Sequence, residues 1–325
     1  MFTNTKNLYT HFFLLGLIFI AFPSIGQCET EKLRPGYAYQ MVELVHSEIE
    51  LIRKHKQASI DSRDSIPIEN AYPREVYFQA LTLRQKAGRL CHETAQYLLA
   101  PPTVVQFSIP KIITSKDVYE IVNDAWSQIR CAKAGLKISD FTEQNTKLDP
   151  TKTFTDVFKS IVQANRQLNL ILEQPIEQGD VYAMVQLSNA YTVDILDKLA
   201  PVWNLTAPTL PEVQTDKTPI DIYKLMIKNF RIIQQIANDS GIDMLHLGSE
   251  IQTPITSTDV FDLSSLILSE LRYFASQVGI DRIYRLKSYP GKVTSEVYQQ
   301  ALIVEAHLQI LEGFTKTYPT WTKIE

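Results

Sequence analysis

The chain has 325 residues, 45% hydrophobic and 21% charged: enough apolar mass for one large core or two smaller ones, and not the composition of a disordered chain. Its 11 glycines are too few for the turn clusters of an all-β protein, and a formal charge of −4 speaks against nucleic-acid binding, which needs a basic patch or stripe.

Residues 1–26 read as a signal peptide. Lys6 and the free amine give a weakly positive start, and Phe12 to Phe22 is an unbroken apolar run closed by Pro23. That run suits a signal-peptide core and falls short of the roughly 20 residues a spanning helix needs. Ser24 and Gly26 fit a small-residue cleavage site, which makes Gln27 the expected mature N-terminus and leaves no stable membrane span. The competing readings are an uncleaved anchor and a lipoprotein using Cys28, for which Gln27 is an awkward neighbour. The expected location is therefore outside the cytoplasm, periplasmic or secreted. Loss of the leader takes the net charge to about −5.

A first helix is expected from Tyr37 to Gln57 on the stripe Met41, Val42, Val45, Ile49 and Ile52, followed by a polar loop from Ile60 to Pro73. From there one short pattern recurs: an acid, then Val or Ile, then Tyr or Phe. Its copies begin at Glu75, Asp117, Asp156, Asp180, Asp221, Asp259 and Glu296, with offsets of 42, 39, 24, 41, 38 and 37 residues. Recurrence near a fixed period marks an architectural repeat. Thr114, Thr153, Thr218 and Thr256 each stand three residues before the acid, the arrangement of a helix capping box. Pro73 and Pro219 fit the first helical position, whereas the copy at Asp180 lacks a hydroxyl cap. Apolar stripes at helical spacing follow, such as Val118, Ile121, Val122, Ala125, Ile129 and Ala132. Left-handed helix caps are expected at Gly135, Gly241 and Gly279.

The expected fold is all-α: a repeat array of about eight long amphipathic helices, each with a long connector, solenoid- or bundle-like. Helices over Thr153–Glu173 and Gly179–Leu199, split by Pro175, read as a close hairpin. The segments GIDMLHL (241–247) and GIDRIYRL (279–286) would make short second helices in a solenoid. Connectors long enough to return the chain to its starting end would instead allow parallel neighbours. Four prolines from Pro201 to Pro219 mark 201–217 as a linker between an N-terminal block, 27–200, and a C-terminal block, 218–325. The period matches tetratricopeptide and HEAT arrays in length and helicity only.

Chemistry is thinly signalled. Cys91 and Cys131 are the natural disulfide pair in an oxidising compartment, with buried free thiols as the alternative. No catalytic, nucleotide-cradling or cofactor motif occurs, and no two histidines share a metal-ligand spacing. Three features could carry function: Cys91 beside His92 and Glu93, the repeated acids as general acids, and the repeated aromatics as a groove lining. Each has a plainer structural role in a helix core or cap. Asn204 and Asn238 fit glycosylation sequons. The expected function is a non-enzymatic scaffold or binding protein acting on a protein partner in the envelope. The alternatives are an envelope enzyme assembled from distant residues such as His92, His246 or His307, and a carrier holding a small apolar ligand between the blocks.

Overall fold

The computed structural model describes residues 33–63, 66–95, 109–110, 112–140, 148–201, 208–209, 211–248, 254–282, 284 and 286–323. The expected leader, its cleavage site, Cys28 and the sequon at Asn204 lie outside the described residues. Leu33–Glu325 is one compact unit. Among its described residues are eight helices: α1 (Pro35–Lys56), α2 (Pro73–Thr94), α3 (Ser115–Gly135), α4 (Phe154–Ile171), α5 (Gln178–Leu199), α6 (Pro219–Asp239), α7 (Ser257–Gln277) and α8 (Thr294–Thr317). The short strands β1 (Ile68–Glu69) and β2 (His246–Leu247) pair antiparallel, Ile68 opposite Leu247.

The repeated triplet is the start of α2 through α8. In all seven the acid accepts the backbone N–H of the N-cap residue, at 2.7 Å for Tyr72 and Glu75 and 3.0 Å for Val293 and Glu296. The copy at Asp180 obeys the same rule with Glu177 as its cap. The acid thus satisfies an orphan donor and faces the positive end of the helix dipole. The Val or Ile that follows is at most 1% exposed in every copy and anchors the first turn in the core. An eighth copy opens α1. Pro35-Gly36-Tyr37-Ala38-Tyr39 aligns with Pro73-Arg74-Glu75-Val76-Tyr77, with Tyr37 in place of the acid and buried Ala38 in place of the Val.

Contacts between helices group them into two rings of four. In the first, α1 touches α3 and α4, and α2 touches the same two; in the second, α5 touches α7 and α8, and α6 touches the same two. Within each ring all four helices run the same way. At the starting ends, the Ala71 N–H donates to Thr155 Oγ1 at 3.0 Å and the Lys217 N–H to Ser295 Oγ at 3.4 Å. At the finishing ends, Lys56 Nζ donates to the Ile171 carbonyl at 2.9 Å and Trp321 Nε1 to Ser240 Oγ at 2.6 Å. Cys91 and Cys131, near the ends of α2 and α3, sit at disulfide distance with Cα atoms 5.4 Å apart.

Parallel neighbours require long returns. A 21-residue helix is about 31 Å long, and the shortest returns, residues 57–72 and 278–293, could each span about 50 Å when extended. The one short offset of the repeat lies at residues 172–177, between α4 and α5, where the chain reverses and begins the second ring. The expected hairpin does not form: α4 and α5 are not packed along each other, because each gives its apolar face to its own ring. Residues 201–217 connect α5 to α6 inside the second ring. Neither GIDMLHL nor GIDRIYRL contains a described helix; the first holds β2, while buried Met244 and Leu245 line the core.

Both rings close with the same device. The connector entering the fourth helix lays a carbonyl on the glycine at the second position of the first helix, so a Cβ there would lie 2.4 Å from Asp149 O at Gly36 and 2.2 Å from Tyr289 O at Gly179. Three residues on, a lysine covers the tyrosine of that first helix: Lys152 Nζ is 4.4 Å from the Tyr39 ring centroid, and Lys292 Nζ is 4.5 Å from that of Tyr182. The caps at Gly241 (φ 68°) and Gly279 (φ 75°) are left-handed as expected. At the third, the left-handed residue is Lys137, and Gly135 serves close approach instead, since a Cβ there would lie 2.6 Å from the Thr94 carbonyl.

Candidate functional site

The richest cluster of ionisable groups lies where the two rings meet. There α2 and α7 run antiparallel: Arg74 near the start of α2 meets Glu270 late in α7, Gln79 meets Ser265, and Lys86 faces Phe261. Of the seven capping acids only Glu75 is fully buried.

At one end of this seam a single guanidinium serves two buried carboxylates. Arg74 reaches Glu75 Oε1 at 3.0 Å and Glu270 Oε2 at 3.3 Å, and its guanidinium carbon stands 4.8 Å from the Tyr273 ring centroid. The Glu75 and Glu270 side chains are 0% and 1% exposed. Burial, then the Glu270 charge, pushes the Glu75 carboxyl up to about 8 against the pull of Arg74. Burial likewise raises Glu270. The Leu245 N–H adds a long contact to Glu75 Oε1 at 3.4 Å.

At the other end the charges balance. Arg166, 2% exposed, holds Asp262 at 2.7 Å and Asp259 at 3.1 Å, and Arg63 joins Asp259 to Asp61 at 3.1 and 2.7 Å. Arg63 also donates to the Thr256 hydroxyl at the α7 cap, at 2.6 Å. Hydrogen bonding from Arg63 lowers the Asp61 carboxyl, whereas burial raises Asp262 against the opposing pull of Arg166. Half-buried Lys86 completes the set. Its ammonium donates to the Asn165 carbonyl at 3.3 Å, and burial lowers it to about 8 despite Asp262 and Asp180 nearby. A cleft of about 490 Å³ opens beside this end, lined by Ser59–Arg63, Arg166, the α4–α5 link and Thr256–Thr258. A second, of about 800 Å³, lies at the starting end of the first ring, between residues 68–72 and 150–155.

Elsewhere the sequence candidates are dispersed. Cys91 is 2% exposed and turned to Cys131, while Glu93 faces solvent and pairs with Arg89 at 2.6 Å. His246 is exposed on β2, 3.4 Å from Gln234, and His307 contacts Asn189 at 2.8 Å. Neither these two nor His92 lines either cleft. Of the repeated aromatics, Tyr77, Phe158, Tyr223 and Phe261 are buried, and the rest are half-buried at the starting ends of their rings, so they line no common groove. Asn238 is exposed near the end of α6.

One unpredicted trio has the residue types of a nucleophile site without its geometry. His46 Nε2 lies 3.0 Å from Ser160 Oγ, but also 2.9 Å from the Ser160 carbonyl, which takes its proton. Glu43 accepts from Ser160 at 3.3 Å, so the acid sits on the serine and not on the imidazole. Burial keeps His46 below the usual histidine range. The trio ties α1 to α4 and leaves the serine without a base. Among the described residues no group of three or more His, Cys, Asp or Glu could hold a metal ion, and no helix is long and apolar enough to cross a membrane.

Set against known families, curated proteins and solved structures, the chain matches none.

Proposed function

We propose that this chain is an exported, non-enzymatic helical scaffold or binding protein that acts through protein–protein contacts in the cell envelope or outside the cell. One observation carries the reading: what the sequence repeats is architectural. The seven acids cap helices and the seven aliphatic residues fill the core, so the recurring side chains serve to hold a shape. Such bodies offer extended surfaces to partners, a step that rests on fold analogy. Export is supported by the apolar run Phe12–Phe22 and by a cysteine pair at disulfide distance, which suits an oxidising compartment.

The test is affinity purification of the tagged full-length protein from its own host, with mild cross-linking, quantitative mass spectrometry and an untagged control. The expected result is one or two reproducible envelope proteins, cross-linked to a single face and bound again when purified. Substrate turnover by the purified protein, with no partner recovered, overturns the reading.

A carrier reading is favoured by the cleft beside Arg63 and Arg166. Its lining suits a polar small molecule, in contrast to the apolar one expected from sequence. Ligand-dependent rises in melting temperature across a panel of polar metabolites would establish it, and a flat panel would remove it.

A further inference from the structure

The two ends of the seam differ in charge count. At the clamp end Arg63, Arg166 and Lys86 face Asp61, Asp259 and Asp262, three cations against three anions, and the one further acid acting on Lys86, Asp180, is held by the Glu177 N–H at the start of α5. At the other end Arg74 alone faces Glu75 and Glu270, both out of water. Two buried carboxylates on one cation leave a net negative charge in a low-dielectric site, which is costly unless one of them carries a proton. The acceptor for that proton is in place. Glu270 Oε1 has no hydrogen-bond partner among the described residues, and the neighbouring Glu75 carboxyl can supply one.

We propose that the Arg74–Glu75–Glu270 end of the seam is a proton-operated latch: while the two carboxyls share a proton it holds the rings together, and when the proton leaves it opens about the Arg63–Arg166 clamp. Among the described residues, the other groups around the latch do not compensate the lost proton. From α7, Tyr273 stacks on Arg74, and Arg272 turns away over Phe78, 5.1 Å from its ring centroid. Among the described residues of the α6–α7 connector only the Leu245 N–H reaches Glu75, while Asp243 and His246 are exposed. On the β1 side Glu69 is exposed, and from α3 the Asp117 charge acts on Tyr77.

The sign follows from linkage. The folded state holds the Glu75 proton up to about pH 8, against 4.5 for a free glutamate. Folded protein therefore binds more protons than unfolded across that window. The contribution to stability is fully present below the lower value and is lost as pH rises through the upper one. The direction is opposite to that of an acid held ionised by a salt bridge.

The experiment is hydrogen exchange read by mass spectrometry on the full chain, over about pH 6 to 9, corrected for intrinsic exchange rates. The expected result is loss of protection at residues 73–80 and 265–277, by up to about tenfold per pH unit as pH rises toward the Glu75 titration near 8 and levelling off above it, while 154–171 beside the clamp stays protected. Glu270→Gln keeps the shape and removes the second charge, so it should abolish the pH dependence. Loss of protection spread evenly over both rings, no loss at all, or identical behaviour in the variant each overturns the latch. Should the variant fail to fold, infrared spectroscopy of the unaltered protein decides. A protonated-carboxyl band at neutral pH that disappears near the pH at which the loss of protection levels off supports the latch, and its absence at neutral pH overturns it.

Discussion

Gly36 lies under the Asp149 carbonyl and Tyr39 under Lys152; Gly179 lies under the Tyr289 carbonyl and Tyr182 under Lys292. The two rings are thus shut at matching places by matching contacts, although their first helices differ in the capping residue, Tyr37 against Asp180. Reinforcement is not shared. The first ring adds the Cys91–Cys131 pair and a buried Glu48–Lys133 ion pair, while the second is finished by buried Trp321 packed edge-on to Phe274. The lesson is that closure is fixed by where the backbone must pass, and that each ring is then stiffened with different side chains.

That comparison can be broken or sharpened by substitution. Replacing Cys91 and Cys131 together by alanine should cost the first ring the most, up to ~4 kcal/mol for a closed loop of 40 residues in the chain-entropy model. Chemical denaturation followed by hydrogen exchange should show the loss concentrated in α1–α4; an even loss would mean the rings unfold as one unit. Gly36→Ala and Gly179→Ala should each cost about 1–3 kcal/mol, since a methyl group must displace backbone and not a flexible side chain. A large cost at one and none at the other, read from denaturation midpoints, would show that the two closures are not equivalent. Asp156→Ala and Asp221→Ala remove matching caps from the two rings and should each cost about 1 kcal/mol by the same measurement. Smallest are Lys152→Met and Lys292→Met, about 0.5–1 kcal/mol each, and salt should weaken the parent contacts more than the variants.

Helix starts were legible in the sequence because a cap is a local device: acid, N-cap and first apolar anchor sit within four residues, and the stripe from Val118 to Ala132 is buried throughout. The helix of α1 was expected from Tyr37, but its place in the repeat escaped detection because Tyr37 and Ala38 erase the acid and the branched residue, although Pro35 keeps the register. Helix direction was open, since a long connector is compatible with either sense and only contacts far apart in sequence, such as Lys56 with Ile171, decide it. The seam was invisible for a related reason. Arg74, Arg166 and Glu270 look like ordinary surface charges on amphipathic helices until another ring covers them. Glu75 carries the same signature as six exposed or half-buried acids, and only its cover by α7 sets it apart.

The order of helices around each ring bears on how the protein acquires its structure. Consecutive helices α1 and α2, or α3 and α4, sit across the ring from one another, and the consecutive pair that packs closely is α2 with α3, or α6 with α7 in the second ring. Early assembly therefore cannot proceed hairpin by hairpin, as it does in up-and-down bundles. Its first productive encounter in each ring is the middle pair, and the outer helices must wait for it, with the first helix finding partners some 80 and 120 residues away along the chain. Helical proteins commonly fold fast because their contacts are local. This one pairs helical content with the non-local wiring of a β-sandwich, and its refolding rate should fall toward the slow range typical of those folds.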